Sequence, residues 1–544
     1  MDRPGSTSGS SWPRRWAVGL VVFALLAEMA VAMITTAVEQ TPTIDEPVYI
    51  GTAVVYLQQH SLRYNPEHPP LGKLIIATGL AFADVHLDPA FDGDQSQLGR
   101  RVLYESGNDP ARLLLLARLP VIVLTLLFGL VVFLFARDLT GPVGGSAALA
   151  LYAFSPDVIA NGSLATLDVP VAGFVLTSAW LLWRARNRPV RYLPLAGLAF
   201  GAALATKMSA LAAVPVLPLL VVLSVRNARR AGNVRWGRFT GPVVAAAGVA
   251  LIAVAVVWIS YLAVDPRLRW ATPPGLPAVH GLGVLGDWLP LPRPYRDGLH
   301  VQFGFEDQVW GGFLFGRLYF GALWYYLPAA LLVKTPLGAL ALGLAGAVVM
   351  VALRRLRPAA PYVLVPTAVL LVAAMTGSRD LGVRYVIFVP MFLAIAAAGV
   401  VALRRRWAYA ATAALVLFAA VSSLRTFPYY LPYSNEAFGG PAATHLRLHD
   451  SNVDWGQDLG RLADRLGQRY PGERVWLVYK GSGAPAAYGI TAADPRTVPA
   501  GQVHGLLAVS DSAAVKADDR LRALLGGSTP IDEVGHSITI YRRP

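Results

Sequence analysis

Apolar stretches separated by short polar connections constrain the fold of this 544-residue chain more than any other feature. Most of them approach the ~20 residues that an α-helix needs to cross a bilayer, which predicts a multi-pass, all-α membrane protein with about eleven spanning helices. Several stretches are shorter than this length, so the exact number of spans stays open. The stretches are 16–38, 111–136, 143–160, 168–183, 192–206, 210–225, 241–263, 335–353, 359–376, 384–403 and 407–424.

Arginine residues fall in every second connection between these stretches, at positions within 3–15, 137, 184–191, 226–238, 354–357 and 404–406. Because cytoplasmic loops are enriched in basic residues, this pattern predicts that the amino terminus lies inside. Only five of the 47 basic residues are lysine, which is typical of a GC-rich bacterial genome, so the expected location is a bacterial cytoplasmic membrane. The connections 39–110 and 264–334 and the tail from residue 425 then lie outside. The net charge of +14 is therefore expected to reflect membrane orientation and not nucleic-acid binding.

The chain divides, by composition, into a cytoplasmic tail at 1–15, a helical membrane domain at 16–424 and a small external α/β domain at 425–544. Within the first outer connection, 45–60 and 70–86 are expected to form helices that lie along the membrane interface. The chain has no cysteine, which excludes disulfides and thiol catalysis. In the tail, short strands are predicted at 474–479, 506–510 and 537–541, and helices near 457–469 and 512–525.

Carboxylates cluster at the predicted outer membrane boundary. They are Asp45 and Glu46 after the first span, Glu67 beside His68 in a turn that continues to Lys73, and Asp168 at the start of a later span. Helix capping explains Asp45 and Asp168 about as well as a functional role does. The proline-stiffened turn is different, because three ionisable side chains against a bilayer favour a functional role.

Isolated cations occur on the same side of the membrane. They are Arg118, Lys207, Lys334 and Arg384, the last followed by Tyr385. Each alone can extend to the lipid headgroups, but four of them beside carboxylates indicate an anionic ligand. A base for a hydroxyl group and positive charge for a departing phosphate are what transfer from a lipid phosphate requires.

At these residues the chain resembles the protein O-mannosyltransferases and lipid A aminoarabinose transferases, which are polyprenyl-phosphate-dependent glycosyltransferases with the GT-C fold. The string from His68 to Lys73 is the most specific part of the resemblance. A segment at 450–458 is similar to one in bacterial relatives that carry an external carboxy-terminal domain. The remaining matching pieces are Asp45-Glu46, Ala117-Arg118-Leu119-Pro120, Leu167-Asp168-Val169-Pro170, Lys207, Val333-Lys334-Thr335-Pro336-Leu337 and Gly382-Val383-Arg384-Tyr385.

The resemblance implies an inverting transfer of mannose, or of another hexose or pentose, from a polyprenyl-phosphate donor to a hydroxyl acceptor. It makes Asp45 the general base, with Glu46 orienting the acceptor or tuning the base and Asp168 completing the acidic rim. The acceptor, whether protein, lipid or cell-envelope glycan, stays open. By the same resemblance the donor phosphate contacts Arg118, Lys207, Lys73 and Arg384.

The pattern requires no cofactor, although a divalent cation remains an option. Glu67 with His68, or with His300 from the long outer loop, offers two candidate ligands, which is too few for a complete site. Residues 450, 452 and 454 have the spacing of a calcium loop, but Arg461 stands where the bidentate glutamate belongs, so a turn that caps the following helix is favoured.

A transporter or flippase for a lipid-linked anionic substrate is the competing interpretation. Such a protein is expected to place ionisable groups at mid-membrane and to contain internal symmetry. Glu28 is the only acid well inside a span without a boundary role, and the sequence contains no repeat. The pattern therefore favours an enzyme whose partners are a lipid-linked sugar, a hydroxyl acceptor and membrane lipid, with no nucleic acid.

Overall fold

The computed structural model describes residues 11–278 and 286–544 of the chain. All eleven predicted apolar stretches are helical over most of their length. In the first half the helices are α1 Ser11–Glu39, α2 Glu46–Gln59, α3 Pro70–Leu80, α4 Gln95–Arg100, α5 Pro110–Thr140, α6 Pro142–Ala153, α7 Pro156–Gly162, α8 Asp168–Ala185, α9 Pro189–Thr206, α10 Val216–Arg230 and α11 Thr240–Val264. The later ones are α12 Arg293–Glu306, α13 Tyr326–Lys334, α14 Leu337–Ala352, α15 Ala360–Met375, α16 Phe388–Val401 and α17 Arg406–Thr426.

Length and apolar composition alone qualify four helices in the described ranges as membrane-crossing, namely α1, α5, α11 and α17. Two bent pairs raise this number to six, because α6 and α7 meet at 63° and α13 and α14 at 119°. The multi-pass membrane character is thereby confirmed, while eleven spans stays a prediction. Proline at the start of α7 and just before α14 accounts for both bends, since proline supplies no backbone donor to the preceding helix.

The described parts of the two long connections, 39–110 and 264–334, pack against the membrane helices. Helices α2 and α3 form where they were expected, but α2 is buried along most of its length and packs against α4 instead of lying on a surface. The long connection contains α12 and a hairpin of β1 Gly311–Leu314 and β2 Arg317–Phe320. Its aromatic residues divide between two environments, because Tyr295 and Tyr326 are buried whereas Trp288 and Trp324 are exposed.

The tail forms a five-stranded sheet in the order β4-β3-β5-β7-β6, parallel between β4, β3 and β5 and antiparallel among β5, β7 and β6. Its helices pack on both faces, α18 on one and α20 on the other, so the predicted α/β character is confirmed. The elements are α18 Leu459–Arg469, β3 Val475–Val478, β4 Ala492–Ala493, β5 Gly505–Ser510, α19 Asp511–Val515, α20 Asp519–Gly526, β6 Thr529–Val534 and β7 Ile538–Arg543.

The apolar core of the membrane helices does not end with α17. It continues through Tyr430, Leu448 and Trp455, whereas the core beneath the sheet begins at Leu459. Residues 427–458 therefore pack with the membrane helices although they precede the sheet in the same tail. The division of the chain at residue 425 stays a prediction, and it does not coincide with this change of core.

A buried ion pair joins the two bent helix pairs. Lys334, the last residue of α13, lies 3.3 Å from Asp157 at the start of α7, and both side chains are almost fully buried. The same ammonium group donates to the carbonyl oxygens of Leu431 at 2.6 Å and Asn452 at 3.0 Å. Lys334 is therefore not an isolated cation, because it fixes the tail segment against both helix bends.

Replacing Lys334 by Met should strongly destabilise the protein, because Asp157 would remain buried without a partner. Breaking a buried pair costs about 3–5 kcal/mol, so we expect a large fall in Tm in detergent solution. The Lys334→Met/Asp157→Asn double variant should recover part of this loss. Arg522→Met, which breaks the exposed Arg522–Asp519 pair, is the control and should leave Tm unchanged. An unchanged Tm in Lys334→Met would contradict this role.

Candidate active site

Asp45 stands between the end of α1 and the start of α2. It occupies the N-cap position of α2, but its side chain accepts no helix N–H, so the capping interpretation is wrong here. Its Oδ2 instead lies 2.5 Å from Nη1 of Arg384. About a quarter of the Asp45 side chain is exposed, compared with 4% for Asp168 and none for Glu46. Asp45 is thus the accessible carboxylate of this group.

Asp168 lies in the first turn of α8, and its carboxylate also bonds to a cation and not to a helix N–H. Oδ1 accepts from Lys207, at the carboxy-terminal end of α9, at 2.6 Å, and Oδ2 is 3.9 Å from Nη1 of Arg384. The capping interpretation is therefore wrong for this residue as well. The structure brings four predicted residues from four chain segments into one row: Lys207, Asp168, Arg384 and Asp45.

Arg384 is the centre of this row, in a 3₁₀ turn at Val383–Val386. Its guanidinium lies 4.2 Å from the ring centre of Trp455 and 5.0 Å from that of Tyr385. The ring of Tyr385 is also 5.5 Å from the Lys207 ammonium. Although Arg384 is buried, its Nε atom has no hydrogen-bond partner. A buried arginine with an unused donor provides a place for an additional acceptor atom.

Glu46 and Arg118 form a separate, fully buried pair. Nε and Nη2 of Arg118 each lie 2.7 Å from one oxygen of Glu46, and the other N–H groups bond to the carbonyl oxygens of Ala37, Gln40 and Thr41. All five donors of the guanidinium are therefore satisfied within the protein. This geometry argues against the acceptor role expected of Glu46 and the phosphate role expected of Arg118.

The remaining acceptors of Glu46 are also engaged. The backbone N–H groups of Thr43 and Ala165 donate to its carboxylate at 2.9 and 2.8 Å. Burial opposes ionisation of Glu46, but the charge of Arg118 and these hydrogen bonds outweigh it and hold the pKa of Glu46 below its usual value. Glu46 is thus an ionised structural partner of Arg118.

Lys73 is likewise enclosed, which argues against its expected contact with the donor phosphate. Its ammonium donates to the backbone and side-chain oxygens of Asn65 at 2.8 and 3.0 Å and to the carbonyl of His68 at 2.7 Å. These three bonds use every donor of a lysine. Lys73 therefore closes the turn in which Glu67 and His68 stand.

The weak metal candidates do not converge. Oε1 of Glu67 accepts from the amides of Asn65 and Gln95, and His300 bonds through Nε2 to Asp287 at 3.0 Å. His68 packs its ring 5.9 Å from that of Tyr49. Within residues 11–278 and 286–544, no group of three or more histidine or acidic side chains is arranged to hold a metal ion. The three candidate residues therefore do not form a metal site.

The calcium-like spacing at 450–454 has a structural use instead. Asp450 pairs with Lys480, Asn452 donates to the hydroxyl of Tyr326 at 2.9 Å, and Asp454 accepts from the N–H of Gly456 at 3.2 Å. The three side chains thus have separate partners. The segment also does not cap a helix as expected, because α18 begins only at Leu459 and its N-cap side chain bonds to no helix N–H.

Arg379 is a residue that the sequence reasoning missed. It pairs with Glu306 at the end of α12, 2.7 Å away, and its guanidinium lies 5.9 Å from the Tyr385 ring. Its position in the short turn before Arg384 was the available signal.

Burial of His68, reinforced by neighbouring cations that include Lys207 and Arg379, lowers the pKa of His68 well below its usual value.

Two cavities lie on either side of α12. An apolar groove of about 720 Å³ is lined by α11 side chains, including Trp258, by the segment at 289–291 and by Arg296. A more polar cavity of about 330 Å³ adjoins Glu67 and is lined in part by Phe305 of the same helix. Phe305 in turn lies 5.6 Å from the Arg379 guanidinium, so α12 connects the groove with the edge of the charged row.

One protein-family model matches the first half of the chain. Residues 21–264, slightly less than half of the chain, match the family model described as dolichyl-phosphate-mannose-protein mannosyltransferase. The matched part contains Asp45, Asp168 and Lys207. The match confirms the class predicted from the sequence, a polyprenyl-phosphate-dependent glycosyltransferase, and does not favour a transporter. No curated protein matches the chain at a significant level.

Solved structures of similar overall shape belong to membrane glycosyltransferases. ArnT from Cupriavidus metallidurans in the apo state has 14% identity over 96% of this chain and 98% of that chain, with a TM-score of 0.47. The same protein bound to undecaprenyl phosphate has 13% identity over the same shares of both chains, with a TM-score of 0.48. The Pmt1-Pmt2 complex of S. cerevisiae has 17% identity over 46% of this chain and 34% of that chain, with a TM-score of 0.35. Because these TM-scores are below 0.5, the class rests on the family match.

The buried Arg118–Glu46 pair leads to a test that separates structure from substrate binding. Arg118→Met should lower Tm sharply, because an unpaired buried carboxylate costs about 3–5 kcal/mol. The Arg118→Met/Glu46→Gln double variant should regain part of that stability. If instead Arg118→Met keeps the wild-type Tm and raises the KM for the lipid-linked donor, the phosphate role is restored. Thermal unfolding and donor titrations on the same preparations distinguish the two outcomes.

Proposed function

We propose that this chain transfers a sugar from a polyprenyl-phosphate donor to a hydroxyl acceptor at the outer face of a bacterial cytoplasmic membrane, with inversion at the anomeric carbon. One observation carries the proposal. A partly exposed carboxylate, Asp45, lies against a buried arginine, Arg384, that retains an unpartnered donor. A base and an incomplete anion site thus meet at one point.

The donor phosphate is proposed to bind Arg384 and Lys207. Arg384 offers its free Nε, and its planar guanidinium suits the oxygens of a phosphate group. Lys207 lies on the far side of Asp168, so its charge acts on the same space. A phosphate leaving group needs mainly this neutralisation of charge, because it is already a weak base.

Asp45 is proposed to be the general base. The acceptor oxygen forms a bond to the anomeric carbon while the bond from that carbon to the phosphate oxygen breaks. Asp45 takes the hydroxyl proton, and polyprenyl phosphate leaves with the bonding electron pair. A second carboxylic acid is not required, since the leaving phosphate does not have to be protonated. Asp168 keeps Lys207 and Arg384 in place.

Donor binding would also activate the base. In the structure Asp45 is paired with Arg384, so its Oδ2 is held by the guanidinium. A phosphate that takes over the guanidinium weakens this pair and releases the Asp45 carboxylate for the acceptor hydroxyl. The proton is then abstracted only when a donor is present.

The lipid chain has a matching surface in the apolar groove beside α11. The groove opens along a helix that is long and apolar enough to cross the membrane, and Arg296 stands at its edge. Along α12, Arg296 and Phe305 are nine residues apart, which corresponds to ~14 Å at 1.5 Å per residue. A polyprenyl chain in the groove would lie along α11, and α12 would lead from it toward the polar cavity beside Glu67.

The identities of the sugar and of the acceptor are proposed only from the similarity to the matched family. The matched family is described as transferring mannose from dolichyl phosphate to protein, so mannose and a protein hydroxyl are the first pair to assay. Comparing the glycans, lipids and secreted proteins of a deletion strain with those of its parent by mass spectrometry would identify other sugars or acceptors.

Asp45→Asn should abolish transfer in a purified, folded protein. A positioned general base contributes about 10²–10⁴-fold to the rate, and the amide cannot accept the proton. Turnover is measured with a short-chain polyprenyl-phosphate sugar, and Tm is measured in parallel. Asp84→Asn, an exposed change in the same outer connection, is the control and should retain full activity. Near-normal turnover of Asp45→Asn would refute the role of Asp45.

Arg384→Met should raise the KM for the donor far more than the KM for the acceptor. A hydrogen bond to a charged group contributes about 1.5–3 kcal/mol, which corresponds to roughly 10- to 100-fold. Free polyprenyl phosphate should also inhibit this variant less than the wild type. Arg405→Met, at an exposed position in an arginine cluster predicted to be cytoplasmic, is the matched control. Equal changes in both KM values would argue against a phosphate contact.

A further inference from the structure

We infer that the tail segment 450–458 sets the geometry of the reaction, and that Trp455 within it is a positioning residue for Arg384. The inference rests on the proposed function, since it concerns how Asp45 and Arg384 are held together. It assigns a purpose to a part of the tail that packs with the membrane helices. The evidence consists of contacts to the loop that carries Asp45, to the turn that carries Arg384, and to the guanidinium itself.

The loop before Asp45 runs alongside residues 455–459 and bonds to them repeatedly. The N–H of Thr41 donates to the carbonyl of Gln457, and the N–H of Ile44 to that of Trp455, both at 3.0 Å. The hydroxyl of Thr41 donates to the carbonyl of Gly456 and accepts from the N–H of Leu459, both at 3.1 Å. The tail thus fixes the backbone from which Asp45 projects.

A second part of the tail reaches the same loop from the sheet domain. The hydroxyl of Ser482, which follows β3, donates to the carbonyl of Thr43 at 3.0 Å. The loop is therefore held between the Arg118–Glu46 pair on one side and two tail segments on the other. Ile44 and Asp45 are its partly exposed residues, and Asp45 is the one that carries a charge.

The turn that carries Arg384 is held by the beginning of the same segment. The N–H of Val383 donates to Oδ1 of Asn452 at 3.0 Å, and the hydroxyl of Ser451 donates to the carbonyl of Leu381 at 2.8 Å. Asp45 and Arg384 are 339 positions apart in the chain, yet both of their backbone segments bond to 450–458. This one segment therefore supports both the base and the guanidinium.

Trp455 acts on the guanidinium directly. Its indole is buried, and the ring centre lies 4.2 Å from Cζ of Arg384. A cation over an indole face is attracted by the ring electrons without using any N–H donor. Trp455 thus holds Arg384 while leaving Nε available for a phosphate oxygen. A carboxylate in the same place would have taken up that donor.

The alternative is that Trp455 only fills space in the apolar core. A packing role predicts a loss of stability with unchanged substrate constants. A positioning role predicts a change in the KM for the donor, because the phosphate contact depends on where Arg384 points. Trp455→Phe also separates the two roles, because phenylalanine keeps an aromatic face for the guanidinium but fills less volume than tryptophan.

The experiment compares Trp455→Leu, Trp455→Phe and Trp476→Leu in the full-length protein in detergent or nanodiscs. Trp476 is a second fully buried tryptophan, within the tail sheet and bonded to the carbonyl of His504, and serves as the packing control. We expect Trp455→Leu to raise the donor KM about tenfold with less than a twofold change in the acceptor KM. Trp455→Phe should restore most of the donor affinity. Trp476→Leu should lower Tm without changing the donor KM.

An unchanged donor KM in Trp455→Leu, or a donor KM raised equally in Trp476→Leu, would overturn the inference. If Trp455→Leu does not fold, Thr41→Val decides. This change removes both side-chain hydrogen bonds between the Asp45 loop and residues 456–459 and should lower kcat, and a wild-type kcat would also overturn the inference. Loss of transfer in Asp45→Asn with no effect at Trp455 rejects only this inference, whereas full activity of Asp45→Asn rejects the proposed function.

Discussion

The buried pair of Arg118 and Glu46 is the interaction on which the rest of the site depends. Charges removed from water are tolerated only when they are paired and their remaining donors and acceptors are satisfied. Arg118 meets this condition by binding three carbonyl groups at the end of α1 as well as Glu46 at the start of α2. The six-residue connection between those helices is therefore held in one conformation, and this fixes the position of Asp45.

The row of Lys207, Asp168, Arg384 and Asp45 balances two positive and two negative charges within a largely buried space. Such a row is stable without a ligand because each charge faces an opposite one. An arriving phosphate changes this balance, and the partner that it displaces most easily is the exposed one. Asp45 is the most exposed carboxylate of the site, so in the proposed mechanism the incoming charge acts on the residue proposed as the base.

Most helices and the four residues of the charged row were predictable from the sequence, and the wrong or missing predictions have physical causes. Helix positions follow from apolar stretches, and Asp45, Asp168, Lys207 and Arg384 stand out as charges at a predicted membrane boundary. The sequence could not show which charged residues have only a structural role, because the ion-pair partner of Arg118 lies 72 positions away and is determined by the packing of the helices. The edge strands β4 and β6 were missed since one is very short and the other mostly exposed.

The contacts of 450–458 also bear on when the site can form. Hydrogen bonds between Thr41 and residues 456–459 join positions more than 400 apart, so they can form only after residue 459 has been synthesised. The membrane helices alone provide the carboxylates and cations but leave the Asp45 loop and the Arg384 turn without their shared support. Lys334 connects the same segment to both helix bends, so the tail is part of the packing of the helices. The reactive geometry is thus a property of the assembled chain and not of the helical bundle that contains its charges.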